Sequence, residues 1–302
     1  MSLLDRTVTR LLPAVPKPIV RRLSSPYIAG ATLEDAVRVV RRLNDEGKMA
    51  TVDVLGEEIT TAAEAAEIAR EYHRVLARIE RERLDANISV KLTGLGLDLD
   101  EGLCRRHLEA LADDAAARAN FVRIDMEDSS TTDATLRLYR DLRADGRSNL
   151  GVVLQAYLRR TVLDVPGLTN VRVCKGIYVE PPEFAYTDPN EIRAGFLAAL
   201  DALLDAGAYV GIATHDERLI SEALGRIAAR GLPGDEFEFQ MLLGVRPERG
   251  DELVKAGHRL RIYVPYGTQW YEYSVRRLQE NPAIAGYVAA DTLRRILPGK
   301  LL

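Results

Sequence analysis

The chain has 302 residues, 47% of them hydrophobic, enough to bury a large core as one α/β barrel or two smaller domains. Its 41 Lys and Arg stand against 45 Asp and Glu, and a net charge of -4 offers no general field for a polyanion, so we expect no nucleic-acid partner. Two cysteines, Cys104 and Cys174, are too few for a disulfide framework and lack CxxC spacing, which fits a reducing cytoplasm.

The N-terminal stretch MSLLDRTVTRLLPAVPKPIVRRLSSPYIAG spaces its apolar residues as on a helix face, but Arg6, Arg10, Pro13, Pro16 and Pro18 interrupt any signal-like run. No segment reaches the ~18 apolar residues of a membrane span. Two readings stand: a helical arm over 1–48 packed on the domain, or a basic amphipathic segment lying on a membrane surface.

From about residue 50, short β-branched runs alternate with longer helical stretches. The predicted strands are TVDVL (51–55), ISVKL (88–92), FVRIDM (121–126), GVVLQA (151–156), VRVCKG (171–176), YVGIAT (209–214), FEFQML (237–242) and RLRIYV (259–264). Between them lie segments such as TTAAEAAEIAREYHRVLARIERER, rich in helix formers with apolar residues at helical spacing. Eight such units predict a (β/α)8 barrel over 49–302 as one domain. The alternative, a doubly wound nucleotide-binding sheet, should carry G-x-G-x-x-G after its first strand, and TVDVLGEE does not.

A barrel places chemistry at the C-terminal ends of its strands. Asp53, Lys91, Asp125, Glu127, Gln155, Lys175, Thr214, His215, Gln240 and Tyr263 all fall there. Charged groups inside strands are costly unless paired or turned to a site, so their recurrence at one end is informative. Lys91 reads as a Schiff-base lysine, as a partner of Asp125 facing a ligand, or as half of a structural ion pair. Asp125, Glu127 and Asp128 with His215 and Asp216 raise a divalent metal, but no H-x-H or H-E-x-x-H is present and Lys91 and Arg172 bring competing charge, so we expect no metal. His215 reads equally as a loop hydrogen-bonding residue or a cofactor contact.

The stretch RIYVPYGTQWYEYSVRRLQENP (261–282) holds four tyrosines, the only tryptophan and two adjacent arginines. On a helix, Tyr273 lies three and four residues before Arg276 and Arg277, and Glu280 four and three after them, so all can border one face. Two guanidiniums around one carboxylate would make a rigid clamp. An ordinary surface pair of Arg276 with Glu280 is the alternative. Read from the residues alone, a Schiff-base lyase using Lys91 or Lys175 and a ligand-binding barrel without catalysis both stay open.

At these residues the chain resembles the proline dehydrogenase family, which also occurs as a domain of bifunctional proline-utilization proteins. RIYVPYG followed by YSVRRLQENP is close to a family signature, and TVDVLGEE, ISVKLTGLG, VRIDMEDS, VVLQAYLRRT, RVCKGIYVEP, ATHD and FEFQMLLGVR follow the family's blocks in order, from Tyr27 to Pro282. The resemblance implies a distorted (β/α)8 TIM barrel with an N-terminal helical arm, holding FAD non-covalently at its mouth. It implies oxidation of L-proline to Δ1-pyrroline-5-carboxylate, the first step of proline catabolism, with electrons passing to a membrane quinone. The location it implies is cytoplasmic, with peripheral contact at the plasma membrane, and a separate pyrroline-5-carboxylate dehydrogenase as metabolic partner. The chain's length, too short for an aldehyde dehydrogenase module, suggests the monofunctional form.

By the same resemblance, Asp125 and Arg172 are catalytic, Arg172 reaching the flavin's reactive nitrogen edge. Lys91, Tyr178, Tyr263, Tyr273, Arg276 and Arg277 bind substrate, with the arginines on its carboxylate and the tyrosines walling its ring. Glu57 pairs with the first clamp arginine and closes the site. Met126, Gln155, Lys175, Gly176, Ile177, Thr214, His215, Gln240 and Glu280 contact the cofactor, Gly176 by permitting close backbone approach and Glu280 through the ribityl chain. Ile177 stands where many relatives have Ala, which bears on pocket volume and on substrates such as hydroxyproline. Val179 stands where the bifunctional branch often has an aromatic.

Overall fold

The computed structural model describes residues 25–56, 59–271, 273 and 274. Its strands are β1 Met49–Val54, β2 Ala86–Val90, β3 Val122–Ile124, β4 Leu150–Gln155, β5 Asn170–Cys174, β6 Tyr209–Ala213, β7 Phe237–Leu242 and β8 Leu260–Tyr266. They pair in parallel and in sequence order, and β8 closes on β1 with Thr51 opposite Tyr263. The helices are α1 Leu33–Asp45, α2 Ala62–Glu82, α3 Glu101–Ala117, α4 Thr132–Ala144, α5 Thr161–Asp164, α6 Pro189–Asp205, α7 Glu217–Arg230 and α8 Pro247–Lys255. The fold is the expected (β/α)8 barrel, and every predicted strand overlaps an observed one.

The units are unequal. Between β4 and β5 the helix shrinks to the single turn α5, because Pro166 and Gly167 end the chain's helical run and the loops after β4 and β5 pair through an antiparallel bridge, Leu158 with Ala185. Of the expected N-terminal arm, α1 is the described helix and packs on β1 and β8, while residues 1–24 lie outside the described residues. Among the described residues no helix is long and apolar enough to cross a membrane.

Period-two alternation divides most of the strands between two environments, while β4 carries Val152, Val153 and Leu154 consecutively in the apolar core. Val52, Ile88, Val90, Ile124, Val152, Val171, Val173, Ile212, Phe239 and Ile262 belong to one continuous apolar core shared with the helices. The residues alternating with them, Thr51, Asp53, Asn87, Ser89, Arg123, Arg172, Glu238 and Gln240, are equally buried yet polar, and they turn to the barrel lumen. A lumen lined by charge is stable only if each charge is paired, since an unpaired buried ion costs several kcal/mol. Arg261 accordingly donates to both oxygens of Glu238, and Arg123 to the Val152 and Asn170 carbonyls.

Candidate active site

A cavity of about 620 Å³ opens at the C-terminal ends of the strands. Lys91 and Asp125 reach it from just beyond β2 and β3, Gln155 from the end of β4, Arg172 from β5, Gln240 from β7 and Tyr263 from β8. Met126, Lys175, Gly176, Ile177, Tyr178, Thr214, His215 and Tyr273 complete its wall together with Cys174 and Asp216. Every residue that the resemblance assigns to the site and that falls among the described residues lines this one cavity, whereas the strand-end candidates Asp53 and Glu127 and the acid Asp128 do not line it. Glu57, Arg276, Arg277 and Glu280 lie outside the described residues.

Asp125 is the hub of the polar wall. Its Oδ1 accepts from Arg172 Nη1 at 2.6 Å and from Ser89 Oγ at 2.6 Å, and its Oδ2 accepts from the Tyr263 hydroxyl at 2.9 Å. Burial alone would raise its pKa, but the charges of Arg172 and Lys91 and the hydrogen bonds from Ser89 and Tyr263 hold the carboxyl below the usual carboxylate range. Tyr263 is pushed the other way, well above an ordinary phenol, by burial and by the negative charges of Asp125 and Asp53. It therefore keeps its proton and acts as a donor. Lys91 Nζ donates to the Tyr263 oxygen at 3.3 Å, which orders the chain of donors from lysine through phenol to Asp125.

Lys91 meets Asp125, as one of its readings has it, but only as its second carboxylate. Its first partner is Asp53, with Nζ 2.9 and 3.0 Å from the two carboxylate oxygens, whereas Asp125 stands 3.7 Å away. Arg172, Ser89 and Tyr263 already occupy Asp125, so the lysine turns to the adjacent strand β1. Asp53 is fully buried and is also held by the Tyr72 hydroxyl at 3.1 Å. It was legible only as a polar residue at a strand end, and its role depends on a neighbour across the sheet.

The loops after β3, β5 and β6 are set by local bonds. Lys175 Nζ and Arg193 Nε both reach Asp216 Oδ2, at 2.5 and 2.8 Å, and Asp216 also caps α7 through the Arg218 amide. Its carboxyl is lowered to about 2, the two cations overcoming burial. His215 accepts the Leu242 amide on Nε2 at 2.9 Å, which assigns that nitrogen as an acceptor. Gln155 donates to the Glu127 carbonyl, while the Glu127 carboxylate accepts from Thr93. The acids raised as metal ligands thus serve separate partners.

Gly176 has φ +100°, and a Cβ there would stand 2.0 Å from the Tyr157 ring. Its need for glycine is met within the protein, by backbone conformation and by the ring beneath it. The buried Tyr266 ends β8 and donates to Glu71 at 2.6 Å, and in the aromatic stretch beyond it Tyr273 and Trp270 pack with Ile28 and Leu55.

The proline dehydrogenase family model matches residues 36–179 and 182–290. Proline dehydrogenase 1 of Bacillus subtilis subsp. natto is 40% identical over 273 residues, covering 89% of this chain and 90% of that protein. The chain belongs to the proline dehydrogenase family. Proline dehydrogenase of Deinococcus radiodurans is 34% identical over 280 residues, covering 90% of each chain. Among solved structures, proline utilization A from Bdellovibrio bacteriovorus superposes with a TM-score of 0.83 at 24% identity. That match covers 91% of this chain and 36% of that larger one, and it shows the shared barrel.

The family implies a flavin, and one observation at the cavity wall bears on it. Nη2 of Arg172 is buried and has no hydrogen-bond partner among the described residues, while Nη1 and Nε are committed to Asp125 and Gln240. A buried donor left unmet costs about 1–3 kcal/mol, a cost that an acceptor on a bound ring edge would remove. The residues present therefore fit such a group.

Proposed function

We propose that this proline dehydrogenase family member oxidises L-proline to Δ1-pyrroline-5-carboxylate with non-covalently bound FAD, and that the electrons pass on to a membrane quinone. The observation that carries this reading is the fixed guanidinium of Arg172, its Nη2 still without a partner among the described residues at the wall of a 620 Å³ cavity. Arg172, Gln155, Lys175, Gly176, Ile177, Thr214, His215, Met126 and Gln240 would hold FAD, which when bound supplies the acceptor for the hydride leaving the proline ring.

The protein's own part is orientation and charge. Asp125 fixes Arg172 and Tyr263 at once, so the positive edge and the aromatic wall keep a constant relation before substrate enters. Tyr263 and Tyr273, with Tyr178 from the loop after β5, would wall the proline ring and exclude water. Lys91, tied to Asp53, would present fixed positive charge to the substrate, and Arg276 and Arg277 would clamp its carboxylate, with Glu57 closing the site and Glu280 on the cofactor. As hydrogen-bond donors to carboxylates, Lys91 and Lys175 are poorly placed as nucleophiles, which speaks against a lyase.

A cytoplasmic chain in peripheral contact with the membrane would suit the quinone, and a separate pyrroline-5-carboxylate dehydrogenase would take the product. The deciding experiment is an anaerobic titration of the purified protein with L-proline. The expected result is a yellow protein whose flavin absorbance bleaches stoichiometrically. A colourless protein that cannot be reconstituted with FAD would overturn the reading, and borohydride trapping of substrate on a lysine would replace it with the lyase.

A further inference from the structure

Arg172 is aimed by an amide that could, in itself, face either way. Arg172 Nε donates to Gln240 Oε1 at 2.6 Å, and Gln240 Nε2 donates to Glu238 Oε1 at 2.6 Å. A guanidinium N–H only donates and a carboxylate only accepts, so these two neighbours together dictate which end of the amide points where. Glu238 and Gln240 sit two residues apart on β7 and share its lumen face. Glu238 is 1% exposed and is itself clamped, by Arg261 at 2.7 and 3.1 Å and by the Tyr209 hydroxyl at 2.8 Å. Gly211, opposite Arg172 in the β5–β6 register, leaves the room that the amide fills: a Cβ there would stand 2.5 Å from Gln240 Nε2.

We infer that Glu238 is a positioning residue for the reaction, locking the Gln240 amide with its oxygen toward Arg172 and so fixing the guanidinium edge that meets the cofactor. The inference rests on the flavin reading above. With no acceptor oxygen at position 238, as in Glu238→Leu, Gln240 Nε2 loses its partner and the amide is free to turn over. Turned, it would set N–H against N–H at Arg172, and the guanidinium would give way. Gly211→Ala should do the same by sterics alone, with no change of charge.

The test compares holoenzymes of the wild type, Glu238→Leu, Gly211→Ala, Arg172→Lys, and Glu238→Leu and Gly211→Ala each combined with Arg172→Lys. The readout is the affinity of the protein for oxidised and for dithionite-reduced FAD, with thermal midpoints measured alongside. Glu238→Leu and Gly211→Ala should each weaken the preference for reduced over oxidised flavin about tenfold, or about 30 mV in a two-electron potential. Both should shift it in the direction of Arg172→Lys, and neither should add to that variant. An unchanged preference beside a normal wild type overturns the inference alone, and full additivity with Arg172→Lys does the same, because it would show action by charge at a distance. A wild type that takes up no FAD overturns the flavin reading as well. If Glu238→Leu fails to fold because Arg261 is stranded, Gly211→Ala carries the test.

Discussion

Lys91 and Asp53 form a buried ion pair at 2.9 Å, and Asp125, at 3.7 Å, is only the lysine's second carboxylate. The mouth of the barrel thus carries two linked pairs, Asp53 with Lys91 and Asp125 with Arg172, joined by the Tyr263 hydroxyl. Each acid is assigned to one cation, and this division keeps both cations fixed while their remaining surfaces face the cavity.

Removing one member of a buried pair strands the other, at a typical cost of about 3–5 kcal/mol. Asp53→Asn should lower unfolding stability toward that range, with the second acid at 3.7 Å sparing part of the loss. Asp53→Asn combined with Lys91→Met should be more stable than Asp53→Asn alone, because the stranded charge is gone. Urea unfolding of the three proteins checks this, and a double variant no better than the single would show that the pair is not what the carboxylate serves.

The loop carrying Lys175 is tied down by Asp216, and the tie depends on pH. The Asp216 carboxyl titrates at about 2 in the fold, against about 3.9 in an unfolded chain. A depressed pKa contributes stability above the unfolded value and loses it as pH falls through the folded value. Asp216→Asn keeps a good helix cap but removes the charge, so it should cost about 1–2 kcal/mol at pH 7. The gap to wild type should close as pH falls from about 4 toward 2. A gap independent of pH would assign the role of Asp216 to capping.

Gly176→Ala separates two reasons for a glycine at the cavity wall. Both its φ of +100° and the 2.0 Å approach to Tyr157 are present in the protein without any ligand. The apoprotein of this variant should therefore lose about 2 kcal/mol or more in urea unfolding. If apoprotein stability were unchanged and only FAD affinity fell, close approach of the cofactor would be the reason for the glycine.

Arg276→Lys and Arg277→Lys keep the charge and lose the planar fork, so each should lower kcat/KM for proline by more than ~1 kcal/mol in transition-state binding. Rates are compared at equal flavin content. Unchanged efficiency in both variants would remove the clamp.

How much of this was legible beforehand depends on the range of the interaction involved. Strands and helices follow from periods of two and 3.6 in local residues, so all eight strands of the barrel were readable, and with them the strand-end positions of Lys91, Gln155, Gln240 and Tyr263. The short α5 was not readable as such, because its length is set by the bridge between Leu158 and Ala185 in the following loop. The contact of Gly176 with the Tyr157 ring was not readable either, since that ring belongs to a different strand's loop.

The sequence by itself determined that polar and apolar residues alternate along strands such as β1, β2, β3 and β5, and hence that a charged interior had to be paired somewhere. Which acid takes which cation was decided only by tertiary structure. Asp53 and Lys91 meet because β1 and β2 pair side by side, and Arg172 reaches Asp125 from β5 across the lumen. Side-chain pairing follows register and barrel closure, which bring together residues far apart in the chain, and no local pattern encodes the choice between two nearby carboxylates.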